Sequence, residues 1–157
     1  MILGIDPGIA NTGWAVLEGD KLIECGCIVT GVKKGSGERF GEIIDELSLI
    51  AKKYKIKEVA VETLYFAKNV KSAMKVSEMI GSVKYWALKN KMKIFEYTPL
   101  QIKSSLVGYG RAEKSQVELM IRNILCLEEK ISPSHAADAV AVALTHLSHR
   151  DFISKIV

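Results

Sequence analysis

Four side chains in this 157-residue sequence have the types and settings that chemistry requires: Asp6, Glu62, His135 and Asp138. His135 and Asp138 stand three apart in SPSHAADAVAVALTH (132–146), a run otherwise dominated by Ala, Val and Leu. In a helix, that spacing puts both on one face. Asp6 follows the apolar start MILGI and precedes Pro7-Gly8, while Glu62 closes the strand-like stretch 56–61. Singly, each has a plain structural reading, as a turn residue, a strand end or a helix-start pair. Together they would crowd three carboxylates and an imidazole, which repel unless a cation or a shared proton compensates. Carboxylates suit hard cations such as Mg²⁺, and an imidazole shifts the preference toward Mn²⁺.

Convergence needs elements that deliver these residues to one place. Residues 2–5, 13–17 and 22–29 read as strands, with Glu18-Gly19-Asp20 as a hairpin turn between the last two. Apolar residues at three- and four-residue steps from 38 to 54 predict an amphipathic helix. Residues 56–61 and 93–97 read as two further strands. Thr98-Pro99 and Ser132-Pro133 carry helix-start signatures, the second opening a last helix over about 133–149. The glycine-bearing basic loop GYGRAEK (108–114) leads into another helix. The pattern is α/β, a five-stranded mixed sheet flanked by helices in one domain over 1–157. If the first and fourth strands are parallel neighbours, Asp6 and Glu62 emerge at one sheet edge, where ligands bind. The last helix packed there would add His135 and Asp138.

A chain with 48% hydrophobic and 25% charged residues has enough apolar material for one core. No apolar window has the length of a membrane span, and the N-terminus lacks the charged-then-apolar order of a signal peptide. The expected location is the cytoplasm. Cys25, Cys27 and Cys126 read as reduced thiols, with no second pair to complete a zinc site. The net charge of +4 is unevenly placed: from Tyr65 to Lys93 seven lysines face the single acid Glu78. Such a stretch is either a solvated helix face or a surface for a polyanion.

The helix expected over 69–90 is apolar around most of its circumference, from Val70 and Met74 to Tyr85, Trp86 and Leu88. One buried face uses about a third of a helix surface. A helix covered on two sides in so small a chain predicts a homodimer contact.

The segments ILGIDPGIANTGWAV (2–16), VETLYFAKNVKSA (61–73), GRAEKSQV (110–117) and HAADAVAVALTH (135–146) resemble the RuvC family. These are crossover-junction endodeoxyribonucleases of the RNase H-like fold, and the four blocks fall in the family's order over nearly the whole chain. The resemblance implies a homodimer that binds four-way (Holliday) DNA junctions and nicks two strands symmetrically in recombination and repair. It implies metal ligands at Asp6, Glu62 and Asp138, with His135 at a fourth position that is Asp in some members and His in others. An aromatic that enters the junction aligns with Tyr65, beside Phe66; Lys103 and Lys114 align with residues that contact phosphate. The family usually acts with the RuvA-RuvB branch-migration complex.

On this reading the chemistry is hydrolysis of a phosphodiester by in-line attack of water, with two cations about 4 Å apart clamping the attacking and leaving oxygens. Asp6 bridges both, Glu62 and Asp138 complete the shells, and His135 either ligates or handles the water's proton. Lys68, Lys71, Lys75, Lys103, Arg111 and Lys114 meet backbone phosphates, and Tyr65 or Phe66 stacks on an unpaired base. The alternatives are a YqgF-like nuclease acting on RNA and a catalytically silent junction-binding module. A two-domain ATPase would need more chain.

Overall fold

Successive side chains point to opposite faces of each strand, and those faces set the layers of the computed structural model, which describes residues 1–63 and 70–156. In chain order the elements are β1 (Ile2–Asp6), β2 (Asn11–Glu18), β3 (Lys21–Val29), α1 (Ser36–Tyr54), β4 (Glu58–Glu62), α2 (Val70–Lys89), β5 (Lys93–Tyr97), α3 (Pro99–Val107), α4 (Lys114–Leu125) and α5 (Ser134–Ile156). The strands form one sheet in the order β3-β2-β1-β4-β5. β1 pairs antiparallel with β2, and β2 with β3, whereas β1–β4 and β4–β5 are parallel. The parallel pairs require crossovers, which α1 and α2 supply.

Leu3, Ile5, Val59 and Val61 point to one face and pack with Ile43 and Leu47 of α1 and Met79 and Val83 of α2. Ile2, Ala60 and Tyr97 point to the other face, beneath Ile102 of α3, Ile121 of α4 and Val140 of α5. The indole nitrogen of Trp86 donates to Ser48 Oγ at 2.8 Å and ties α2 to α1. Thr98 caps α3 as expected: its hydroxyl accepts from the Gln101 amide at 3.2 Å, and the Gln101 side chain accepts from the Thr98 amide at 2.8 Å.

Helix α5 lies directly on β1 and β2, and small residues make that approach possible. Ala136, Ala139 and Ala143 are fully buried along it. A β-carbon on Gly4 would stand 2.3 Å from the Ala139 carbonyl oxygen, and one on Gly13 would stand 1.8 Å from that of His135. Neither distance is tolerable, so the two glycines set how near the helix can come.

Several boundaries differ from those read in the sequence. Asp6 belongs to β1, paired with Gly13, because the ladder runs past the apolar residues. β2 accordingly starts at Asn11 and β4 at Glu58, with Ile56 buried just ahead of it. Helix α5 begins at Ser134 and extends to Ile156. Pro133 lies just outside it, with its carbonyl accepting from the Ala136 amide at 3.0 Å. The exposed polar run Ser148, His149 and Arg150 at the expected end interrupts the apolar periodicity that would have signalled the continuation.

Candidate metal centre and nucleic-acid interface

Parallel pairing of β1 with β4 matches Ile5 to Val61, so the next residues, Asp6 and Glu62, emerge together at the carboxyl edge of the sheet. The first turn of α5 lies over that edge. His135 Nδ1 stands 2.8 Å from Asp6 Oδ2. Asp6, His135 and Asp138 each offer a ligand atom, and the three atoms lie within 4.8 Å of one another. Glu62 is outside that group of three, although the charges of Asp6 and Asp138 both act on its carboxyl.

Burial raises the pKa of Asp6; the His135 hydrogen bond opposes the rise and the charge of Asp138 adds to it. Glu62 is pushed up to about 7, by burial first and then by the charges of Asp6 and Asp138. Ionising these carboxyls together is unfavourable without added positive charge. Carboxylate oxygens and one imidazole nitrogen, gathered within reach of a single ion, form a donor set that fits a hard divalent cation.

Positive charge borders the acids. Lys114, the first residue of α4, donates from Nζ to Asp138 Oδ2 at 2.8 Å. Desolvation would lower the Lys114 pKa, but its bond to Asp138 and that carboxylate's charge win and raise it. A cavity of about 230 Å³ opens beside the acids, lined by Glu62, Asp138, Lys103, Lys114, Glu118 and an apolar floor. Arg111 is exposed in the loop before α4. That loop is anchored by the Tyr109 hydroxyl donating to Gln116 Oε1 at 2.8 Å. Lys75 is exposed on α2, and Lys71 lies in that helix's first turn. Tyr65, Phe66 and Lys68 lie outside the described residues. Cys25, Cys27 and Cys126 are free thiols.

Known proteins agree with this geometry. The family described as "Crossover junction endodeoxyribonuclease RuvC" matches residues 2–146. The chain belongs to the RuvC family. The RuvC of Finegoldia magna is 43% identical over 93% of this chain and 92% of its own. The solved Thermus thermophilus RuvC superposes with a TM-score of 0.87 at 34% identity, covering 96% of this chain and 95% of that one. The same protein in complex with a Holliday junction substrate gives 0.88 at 35% identity, covering 96% and 94%. The fold is therefore RNase H-like, α/β, with the five-stranded mixed sheet described above. RuvC-family nucleases are metal-dependent, in keeping with the cluster of Asp6, His135 and Asp138.

Three features escape sequence reasoning. Gly13 is where β2 admits the backbone of His135, and only its register opposite Asp6 hints at that. The Lys114–Asp138 pair joins α4 to α5 with no sequence signal at all. A second polar cluster lies further along α5: the Tyr97 hydroxyl is 2.8 Å from His146 Nδ1, and His146 Nε2 is 3.3 Å from Glu58. Burial lowers the His146 pKa, so its imidazole is a neutral bridge between helix and sheet.

Proposed function

We propose that this chain is a metal-dependent endodeoxyribonuclease that resolves four-way DNA junctions by symmetric paired nicks in recombination and repair. The observation that carries this is the convergence of Asp6, His135 and Asp138 within 4.8 Å, beside Glu62 at the sheet edge. Support comes from the Thermus thermophilus RuvC solved with a Holliday junction substrate, to which this chain is similar over 96% of its length.

Asp6, Glu62 and Asp138 would hold Mg²⁺, with Mn²⁺ able to substitute, and His135 would supply the fourth side chain. A cation held by these residues would supply a lowered pKa for the attacking water and positive charge to offset the negative charge growing on the phosphate. Asp6 is fixed by the strand ladder and the His135 contact, so its carboxylate needs no reorganisation to serve that cation. His135, held through Nδ1, has its other ring nitrogen available to ligate or to take the water's proton. Lys103, Arg111 and Lys114 meet phosphates along the cleft, with Lys68, Lys71 and Lys75 extending the track and Tyr65 or Phe66 stacking on a base.

Two nicks in two strands need two sites, and α2 supports a homodimer of one-domain chains spanning 1–157. Its Met79, Val83 and Trp86 are buried within the chain, yet Met74, Tyr85 and Leu88 are 59%, 69% and 64% exposed. A groove lined by Phe40, Ile44, Tyr85 and Trp86 continues that surface. Contiguous exposed apolar surface of this kind marks an interface. No described helix is long and apolar enough to cross a membrane. We place the protein in the cytoplasm, working with the RuvA-RuvB branch-migration complex.

The test is cleavage of a synthetic four-way junction by the wild type and by Asp6→Asn, in Mg²⁺ and in Mn²⁺. Symmetric nicks by the wild type, lost in Asp6→Asn with junction binding retained, are expected. Preferential cleavage of structured RNA, or binding without cleavage in either ion, would overturn the reading.

A further inference from the structure

The geometry points to Lys114 as a built-in competitor for the cation at Asp138, an ammonium that weakens ion binding while it holds this carboxylate and that serves a phosphate of the DNA when it leaves. The inference rests on the proposed cation site and adds to it a positioning residue with two alternative partners.

The Asp138 oxygen that Lys114 engages at 2.8 Å is on a carboxylate of the Asp6–His135–Asp138 group. An ammonium on this carboxylate disfavours a divalent ion on it, because two like charges would then stand only a few ångströms apart. Lys114 is also well made for leaving. Its side chain is 54% exposed, and a lysine stem has four rotatable bonds ending in a compact charge. It is the first residue of α4, directly after the loop that carries Gly108 and Gly110. Glu118, four residues on along the same helix and lining the same cavity, offers a second seat close to the first. A DNA phosphate offers a stronger one in the cleft that Lys103 also borders.

The consequence is a coupling. Ion affinity at Asp138 is reduced by the population in which Lys114 occupies it, and whatever draws Lys114 away restores that affinity. DNA phosphates draw it away, so junction binding favours ion loading, and by linkage ion loading favours junction binding. The acids are then fully charged with cations chiefly when a strand is in place.

The test measures Mn²⁺ binding to the full-length, DNA-free protein by electron paramagnetic resonance, comparing wild type, Lys114→Met, Lys114→Arg, Lys103→Met and Asp138→Asn. Lys114→Met should bind Mn²⁺ more tightly by on the order of tenfold, the size of one short-range charge interaction in a partly screened site. Lys103→Met, which removes an equal charge from the same cleft, should stay near the wild type, as should Lys114→Arg, which keeps a cation over Asp138. In parallel, amine labelling of the wild type should rise at Lys114, and not at Lys103, when Mn²⁺ is added. Equal affinity in wild type and Lys114→Met, or equal tightening by Lys103→Met, would overturn the competition while leaving the cation site standing. Unchanged Mn²⁺ binding in Asp138→Asn would instead remove the cation site itself, and the competition with it.

Discussion

The carbonyl oxygen of His135 lies 1.8 Å from the position that a β-carbon on Gly13 would occupy, so helix α5 rests on bare backbone at the point where it delivers its imidazole to Asp6. Gly13 is also the strand partner of Asp6. One residue of β2 therefore sets both the strand end that carries the acid and the height of the helix above it.

Gly13→Ala should displace the first turn of α5 and with it His135 and Asp138. Overpacking of this kind destabilises by about 1–3 kcal/mol. A misplacement near 1 Å costs a rate on the order of 10²-fold, so junction cleavage should fall further than the melting temperature suggests. Cleavage that merely tracks the loss of folded protein would reduce Gly13 to a packing residue.

His135→Ala and His135→Asp should part company. The first removes both a donor and a candidate proton acceptor, and should slow cleavage by on the order of 10²-fold. The second replaces nitrogen by oxygen and should retain activity with the metal preference moved toward Mg²⁺ over Mn²⁺. The measurement is the ratio of initial rates in the two ions. An alanine variant as fast as the wild type would take His135 out of the chemistry.

The raised Glu62 pKa predicts a pH dependence of stability. Its carboxyl titrates at an ordinary value of 4.5 when unfolded and at about 7 when folded, so the folded protein holds this proton more tightly. Stability is highest below the lower value, declines as pH rises through the window between the two, and stays reduced above it. With about 1.4 kcal/mol attached to each pH unit, the loss is on the order of 2–3 kcal/mol after solvent screening. Melting temperatures in EDTA should fall from pH 5 to pH 8. Glu62→Gln should flatten the decline, and Mg²⁺ should offset it, because the ion binds the ionised form. A Glu62→Gln protein with the full decline would assign it to another group.

Charge placed on the exposed side of α2 should break the proposed dimer. The double variant Tyr85→Glu, Leu88→Glu alters two residues that are 69% and 64% exposed in the single chain, so folding should survive. Sedimentation at micromolar concentration should show a dimer for the wild type and a monomer for the variant. Paired nicking should give way to uncoupled single nicks. A wild type that sediments as a monomer would count decisively against symmetric cleavage by this face.

The polar bridge at His146 is a stability element remote from the acids. His146→Ala would strand the Tyr97 hydroxyl and remove a partner of Glu58 in a buried setting, costing about 1–3 kcal/mol. Chemical denaturation should report the loss, with Mn²⁺ affinity unchanged in the folded protein. A changed Mn²⁺ affinity would show that the two ends of α5 are coupled.

What the amino-acid order determined by itself is local in origin. The short apolar runs of β1 and β4, the helical steps of α1 and the cap at Thr98 follow from neighbours a few residues apart, and they were legible as such. So were the four residues Asp6, Glu62, His135 and Asp138, because polar groups set in apolar runs stand out, and the resemblance to RuvC bound them into one family pattern. Only the tertiary structure decided which ligand atoms meet. It brought Asp6, His135 and Asp138 within 4.8 Å, left Glu62 beside them at the sheet edge, and placed Lys114 on Asp138 across 24 residues. It also buried one side of α2 against α1 while leaving Tyr85 and Leu88 outside. The division has one cause. Periodicity and capping are set by the chain's own short-range geometry, whereas the distance between Asp6 and His135, 129 residues apart, is set by how closely α5 can settle on Gly4 and Gly13.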